Sequence, residues 1–121
     1  MQRLLIDLHL GLWVGLAAIV AAVLMVALPA ALQGRQPPAL YVPMQRAVAV
    51  LIGLQVVLGA LLLGIGRLPQ TPLHLLYAAA ALATMPVARA LARRSQAGAR
   101  WYQVGGTLLL LGFLVRLFGT G

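Results

Sequence analysis

The chain contains no cysteine and only one acidic residue, Asp7. Without cysteine it cannot form disulfides, thiolate metal sites, a cysteine nucleophile or the covalent attachment of a c-type heme. The sequence has no carboxylate pair, phosphate-binding loop or Ser-His-Asp set, which argues against a hydrolase or a nucleotide enzyme. A small multidrug-type transporter would need a buried carboxylate for proton exchange, whereas Asp7 lies near the end of an apolar segment.

Lysine is also absent, so all nine basic residues are arginine and the net charge is +8. In a soluble protein this charge would suggest a nucleic-acid partner. Here the arginines flank long apolar segments, where they set the orientation of membrane helices, and no basic patch is interleaved with aromatic residues. We therefore expect the lipid bilayer as the main partner and no nucleic acid.

Long apolar runs dominate what remains. Of the 121 residues, 63% are hydrophobic, which is more than a soluble domain of this size can bury. Charge-free runs cover residues 10–34, 47–66, 68–88 and 101–115. A membrane-spanning helix needs about 20 apolar residues, and the fourth run reaches that length if Arg116 snorkels to the interface. We predict an all-α membrane protein: one domain, residues 1–121, forming an up-down bundle of four transmembrane helices at about 4–32, 44–66, 72–92 and 101–118.

The arginines are distributed unevenly between the two sides of this predicted bundle. The first and third connections hold six of them, and the opposite side holds three together with Asp7. By the positive-inside rule the side with six faces the cytoplasm, so both termini face outward. We expect a multi-pass protein of a prokaryotic plasma membrane. The six are Arg35, Arg46, Arg89, Arg93, Arg94 and Arg100, and the three are Arg3, Arg67 and Arg116.

The only two histidines, His9 and His74, lie near the starts of the first and third predicted helices. These helices run in the same direction, so both histidines should lie at one depth near the outer face. In an up-down bundle the first and third helices are diagonal across the core. Neutral imidazole is a good iron ligand, and ligation by two histidines suits electron transfer. The pattern predicts one heme iron held between His9 and His74.

Other residues fit such a site. Ala78 follows His74 by four positions, so the helix face that carries His74 has a small side chain one turn further on. Arg3, Arg67 and Arg116 are the cations on that side for the heme propionates. Gln55 is expected to form a hydrogen bond between helices, and its contact with the ligand stays open. A histidine at the end of a membrane helix also serves as a polar anchor at the interface, and the residues alone leave that alternative open.

The stretch Gln55-Val-Val-Leu-Gly59, followed by Pro72-Leu-His74, resembles one four-helix half of the heme A synthase family. The spacing of His9 and His74 is similar to that within one such half. The resemblance implies a b-type heme between them near the outer face and a packing motif at Gln55–Gly59. The chain departs from the family in having Ile6 where the family has a glutamate, no cysteine pair, and one half only. Whether it is an enzyme therefore stays open.

Two functions follow as hypotheses. The first is a membrane heme-binding protein that transfers electrons or handles heme. The alternative is a cofactor-free accessory subunit of a larger respiratory or photosynthetic complex, a role that suits a chain with little polar mass outside the membrane. Its partners would then be the subunits of that complex, and a homo-oligomer is a further arrangement that the sequence leaves open.

Overall fold

A computed structural model describes residues 1–120. Within these residues the chain forms four α-helices and no strand: α1 (Gln2–Leu32), α2 (Tyr41–Gly64), α3 (Leu73–Arg94) and α4 (Ala99–Thr120). All four are long and apolar enough to cross a membrane, judged by length and composition. The all-helical class and the four candidate spans are therefore confirmed.

The first two helices end in the same way. Gly34 and Gly66 adopt the left-handed backbone conformation, with φ of 67° and 81°. The amide of the following arginine donates to a carbonyl one turn back, from Arg35 to Ala30 at 2.8 Å and from Arg67 to Leu62 at 2.9 Å. This is the Schellman motif, which favours glycine because a side chain is strained at positive φ. It fixes the point at which each arginine leaves its helix.

The helix boundaries differ from the sequence expectation by up to three residues. The largest difference is at α2, which begins at Tyr41 rather than at residue 44. At α3, Pro72 occupies the position before the first helical residue and no side chain caps the helix. Proline lacks an amide proton and has a fixed φ, so it suits a helix start. Pro29 and Pro86 lie inside α1 and α3, and both helices continue past them.

The helices pack unequally. The closest packing is between α3 and α4, and α1 packs against both α2 and α4. Between α2 and α3 there is no comparable close packing, although Arg89 Nη2 of α3 donates to Gln45 Oε1 of α2 at 3.3 Å. The bundle is therefore held mainly through α1 and α4, and a seam between α2 and α3 is less tightly closed.

Each helix buries one stripe of residues spaced three and four apart, which is the pattern of a helix with one face toward a core. The remaining surface is largely apolar and exposed. Even in α4, only 28% of the most apolar 18-residue stretch is buried, and in α2 the share is 11%. Such a surface requires lipid or another protein around it. The stripes include Leu16, Val20, Val23, Ala27 and Ala31 in α1; Tyr41, Gln45, Val48, Ile52 and Leu62 in α2; Ala81, Met85, Ala88 and Ala92 in α3; and Val104, Thr107, Leu110 and Leu114 in α4.

Candidate functional site

Both histidines continue the buried stripes of their helices. His9 lies seven residues before Leu16, the first buried residue of α1, and His74 lies seven residues before Ala81, the first buried residue of α3. Seven residues are about two helical turns, so each histidine shares a face with the buried residue that follows it. Both histidines are partly buried. Their side chains therefore belong to the inner faces of α1 and α3.

His9 contacts α2 through Gln55 and Gly59. The Gln55 Nε2 atom donates a hydrogen bond to the backbone carbonyl of His9 at 3.0 Å. A Cβ on Gly59 would lie 3.8 Å from Cε1 of the His9 ring. Gln55 and Gly59 are four residues apart and so share one face of α2. The hydrogen bond between helices that the sequence predicts for Gln55 is therefore confirmed, and glycine leaves space beside the imidazole.

His74 contacts the last turn of α4. Its Nδ1 lies 3.4 Å from the hydroxyl of Thr120, and that hydroxyl donates to the backbone carbonyl of Arg116 at 3.0 Å. Because a hydroxyl has a single proton, Thr120 would then accept from His74 if the imidazole carries its proton on Nδ1. That tautomer would leave the lone pair on Nε2. An imidazole held by one nitrogen and free at the other has the tautomer that a metal ligand needs.

The two histidines lie at the same end of the bundle. Trp13, one turn after His9, donates from its indole nitrogen to the carbonyl of Leu114 at 2.8 Å. Its ring stacks on Phe118 with centroids 4.6 Å apart. The beginning of α1 is thereby held against the end of α4, where His74 meets Thr120. We call this the histidine end.

Three buried polar atoms at the histidine end have no hydrogen-bond partner within residues 1–120. They are Nδ1 of His9, Oε1 of Gln55 and Oγ1 of Thr71. A buried polar group without a partner costs about 1–3 kcal/mol, so most such groups in proteins are paired with protein, water or ligand. The histidine end thus carries more hydrogen-bonding capacity than the chain itself uses, which is expected where a ligand or ordered water binds.

The remaining residues predicted for the site lie around this end with less direct contact. Ala78 is partly buried on the α3 stripe between His74 and Ala81. Arg3, Arg67 and Arg116 are exposed, which leaves their guanidinium groups free to meet an anion at the membrane surface rather than in the bundle interior.

Two threonines at this end were not predicted. Thr120 lies three residues after Leu117 and so continues the α4 stripe of Leu110, Leu114 and Leu117, whose members are three and four residues apart. Its position on that stripe could have revealed it. Thr71 precedes α3 in the connection from α2, and its burial depends on how that connection folds. No pattern in the sequence indicates that burial.

The histidine end offers two imidazoles as side chains that could bind a metal. Within residues 1–120, no three side chains of the histidine, cysteine, aspartate or glutamate type lie together as a metal site. A heme iron already has four nitrogen ligands from the porphyrin and needs only two axial ligands. Two imidazoles match that number of axial ligands, and a heme between them stays a prediction.

The fold and site together define a class of protein: a four-helix chain with membrane-spanning character and a polar, histidine-containing end. No protein-family model, curated protein or solved structure matches this chain. The resemblance to half of heme A synthase therefore depends on the motif residues alone and stays a prediction.

Proposed function

We propose that this chain is a membrane heme-binding protein that holds one b-type heme between His9 and His74 and uses it for electron transfer or heme handling. One observation carries the proposal. Both histidines continue the buried stripes of their helices to the same end of the bundle, where three buried polar atoms have no partner. Buried polar atoms are usually paired with protein, water or a ligand, so these three support a bound group at this end.

We also propose an up-down order of the helices, with both termini and the heme on the outer side of a prokaryotic plasma membrane. The hydrogen bond from Gln55 to His9 joins the second half of α2 to the start of α1. The bond from Trp13 to Leu114 joins the start of α1 to the second half of α4. These pairings support antiparallel neighbours, and the excess of arginine at the other end supports the orientation.

In this proposal His9 and His74 would hold the heme iron, and Thr120 would orient the His74 ring through its Nδ1. Gly59 and Ala78 keep the surrounding helix faces small. When bound, the heme supplies a one-electron redox centre, and two histidine ligands leave no open position on the iron. The exposed cations that would neutralise the propionates are Arg3, Arg67 and Arg116.

The test is reconstitution of the purified protein with hemin in detergent. We expect the wild type to bind one heme per chain and to show a Soret band and the visible spectrum of a bis-histidine heme. The His9→Ala, His74→Ala double variant should lose the band. The control is Gln70→Ala, an exposed polar residue in the connection before α3, and it should bind as the wild type does.

Folding must be measured beside heme binding. Far-ultraviolet circular dichroism and size-exclusion elution should match for the three proteins. A helical, monodisperse wild type without affinity for hemin would end the proposal, and so would a double variant that keeps the Soret band unchanged.

A second candidate function is favoured by the poor coverage of α2, of whose most apolar window only 11% is buried. We propose as the alternative a cofactor-free accessory subunit of a larger respiratory or photosynthetic membrane complex, with α2 and the seam to α3 against a neighbouring subunit. Co-purification with such a complex that survives the double histidine variant, from a protein that binds no heme, would favour this alternative.

A further inference from the structure

A polar cavity of about 90 Å³ lies at the end of the bundle opposite the histidines. It opens between the chain that leaves α1 and the connection from α3 to α4. Two arginines and three glutamines are among the residues that line it: Arg35, Gln36, Gln96, Arg100 and Gln103. Guanidinium and amide N–H groups are the donors that bind phosphate oxygens in proteins. The volume is of the size of one phosphate group rather than of an organic ligand.

The backbone fixes one wall of this cavity. Gly34, at a φ of 67°, closes the Schellman motif at the end of α1, and the Arg35 amide donates to Ala30 at 2.8 Å. Arg35 therefore leaves the helix at a defined point. From the other side Arg100 reaches over, and its Nη1 lies 3.7 Å from the position that a Cβ on Gly34 would occupy. The two arginines thus line one cavity from opposite sides.

The first turn of α4 forms the other wall. Ala99 and Arg100, the first two residues of α4, line the cavity, and no acidic residue lies in that turn. The amides at a helix start carry a partial positive charge because they lack partners within the helix. This contribution adds to the charge of the two arginines and does not replace it.

No carboxylate side chain within residues 1–120 lies near the cavity to neutralise it. The only acidic residue, Asp7, lies in the first turns of α1, at the histidine end. Two arginines that line one cavity repel each other less when an anion is shared between them. The positive charge here is therefore available to an external anion.

We propose that this cavity binds a phosphate group, as the headgroup of an anionic phospholipid or as phosphate from solution. A phospholipid headgroup would sit at the level where the helices leave the hydrocarbon. Because the site lies at the far end from His9 and His74, its failure would leave the heme proposal unaffected, and the reverse also holds.

The test uses the full chain in nanodiscs. One arm contains phosphatidylcholine with a minor fraction of phosphatidylglycerol, and lipid retained by the protein is identified by native mass spectrometry. The second arm contains phosphatidylcholine only, and inorganic phosphate is titrated against thermal stability. Binding in the first arm alone assigns a lipid headgroup, and binding in the second assigns soluble phosphate. Either result supports the site.

The variants separate the cavity from general surface charge. Arg35→Gln and Arg100→Gln should each weaken retention or phosphate binding by about tenfold, since each removes a charge-assisted donor pair. The matched controls are Arg93→Gln and Arg94→Gln, which remove the same charge from exposed positions at the end of α3. These should bind within about twofold of wild type, as expected for loss of one screened surface charge. Absence of binding in both arms, or equal losses in the controls, would overturn the proposal.

Discussion

Two glutamines of the α2 stripe, Gln45 and Gln55, show how differently one residue type is used at the two ends of the helix. Gln45 Nε2 donates to the hydroxyl of Tyr41, and Gln45 Oε1 accepts from Arg89. Both polar atoms of this buried side chain are therefore paired. Gln55 donates to His9, but its Oε1 is buried without a partner. The polar atoms of Gln45 are thus all paired, whereas one polar atom of Gln55 has no partner.

This difference predicts unequal costs for the same substitution. Gln45→Leu should lower the free energy of unfolding by about 1–3 kcal/mol, because it leaves the Tyr41 hydroxyl and the Arg89 guanidinium without their partner. Gln55→Leu removes one hydrogen bond between helices, worth about 0.6 kcal/mol on average in membranes, and also removes the unpartnered Oε1. Its cost should stay below about 1 kcal/mol. Unfolding in mixed micelles with increasing dodecyl sulfate measures both.

The apo protein is the proper sample for that comparison, because bound heme would add its own stabilisation. Equal costs for the two substitutions, or a larger cost for Gln55→Leu, would contradict the distinction between a satisfied and an unsatisfied glutamine.

At the scale of single residues, the sequence predicts which polar side chains belong to the candidate site, because polar residues are rare in this chain. His9, His74 and Gln55 stand out because they are polar residues in apolar segments. The partners of these residues are harder to predict. Gln45 is paired with a tyrosine one turn away and an arginine of another helix, and nothing local to α2 indicates that α3 comes near at that point.

The contact between α3 and α4 depends on one glycine. A Cβ on Gly106 would lie 2.5 Å from the Cβ of Ala88, a distance that real side chains do not reach. Both residues are buried. Small residues that let two backbones approach closely are a common basis of helix association in membranes. Gly106 and Ala88 therefore set the separation of the most closely packed helix pair.

Gly106→Ala should consequently destabilise the protein by about 1–3 kcal/mol, the range for inserting a methyl group into a filled core. The neighbouring Gly105→Ala is the control, since a Cβ there meets nothing within 4 Å. The change should be small or slightly favourable, because alanine favours helix over glycine by about 1 kcal/mol. Both variants can be followed by the same unfolding assay.

A rescue variant tests the cause. Ala88→Gly removes the methyl group that the new side chain would strike, so the Ala88→Gly, Gly106→Ala double variant should regain much of the lost stability. Destabilisation of the double variant by the sum of the two single effects would contradict a direct clash.

At the scale of elements, helices are predicted well where apolar length decides. Four charge-free runs give four helices because the backbone of a membrane span must satisfy its own hydrogen bonds. The ends are predicted less well. Helix α2 begins at Tyr41, three residues before the predicted start, and α3 ends at Arg94, two residues after the predicted end. The close approach of α4 to α3 at Gly106 could not be predicted from the sequence, since a glycine within an apolar segment does not indicate which neighbouring helix it contacts.

Across the whole molecule, charge and polarity separate the two ends of the bundle. One end holds His9, His74 and three unpartnered polar atoms. The other holds six of the nine arginines and the cavity between Arg35 and Arg100. A bundle with such unlike ends has a preferred orientation in a membrane, because arginine-rich segments are retained on the cytoplasmic side. The two proposed sites would then face opposite compartments.

Cysteine labelling can test this orientation directly, because the chain has no cysteine of its own. Gln70→Cys places a thiol in the connection at the histidine end, and Ala39→Cys places one in the connection between α1 and α2. Both positions are exposed. In intact cells a membrane-impermeant maleimide should label the cysteine at position 70. It should leave the cysteine at position 39 unlabelled until the membrane is permeabilised, since the six arginines at that end of the bundle hold the α1–α2 connection inside. The reverse pattern would put the histidines on the cytoplasmic side, and labelling of both would mean that the chain inserts in both directions. Either outcome would contradict a heme site at the outer face.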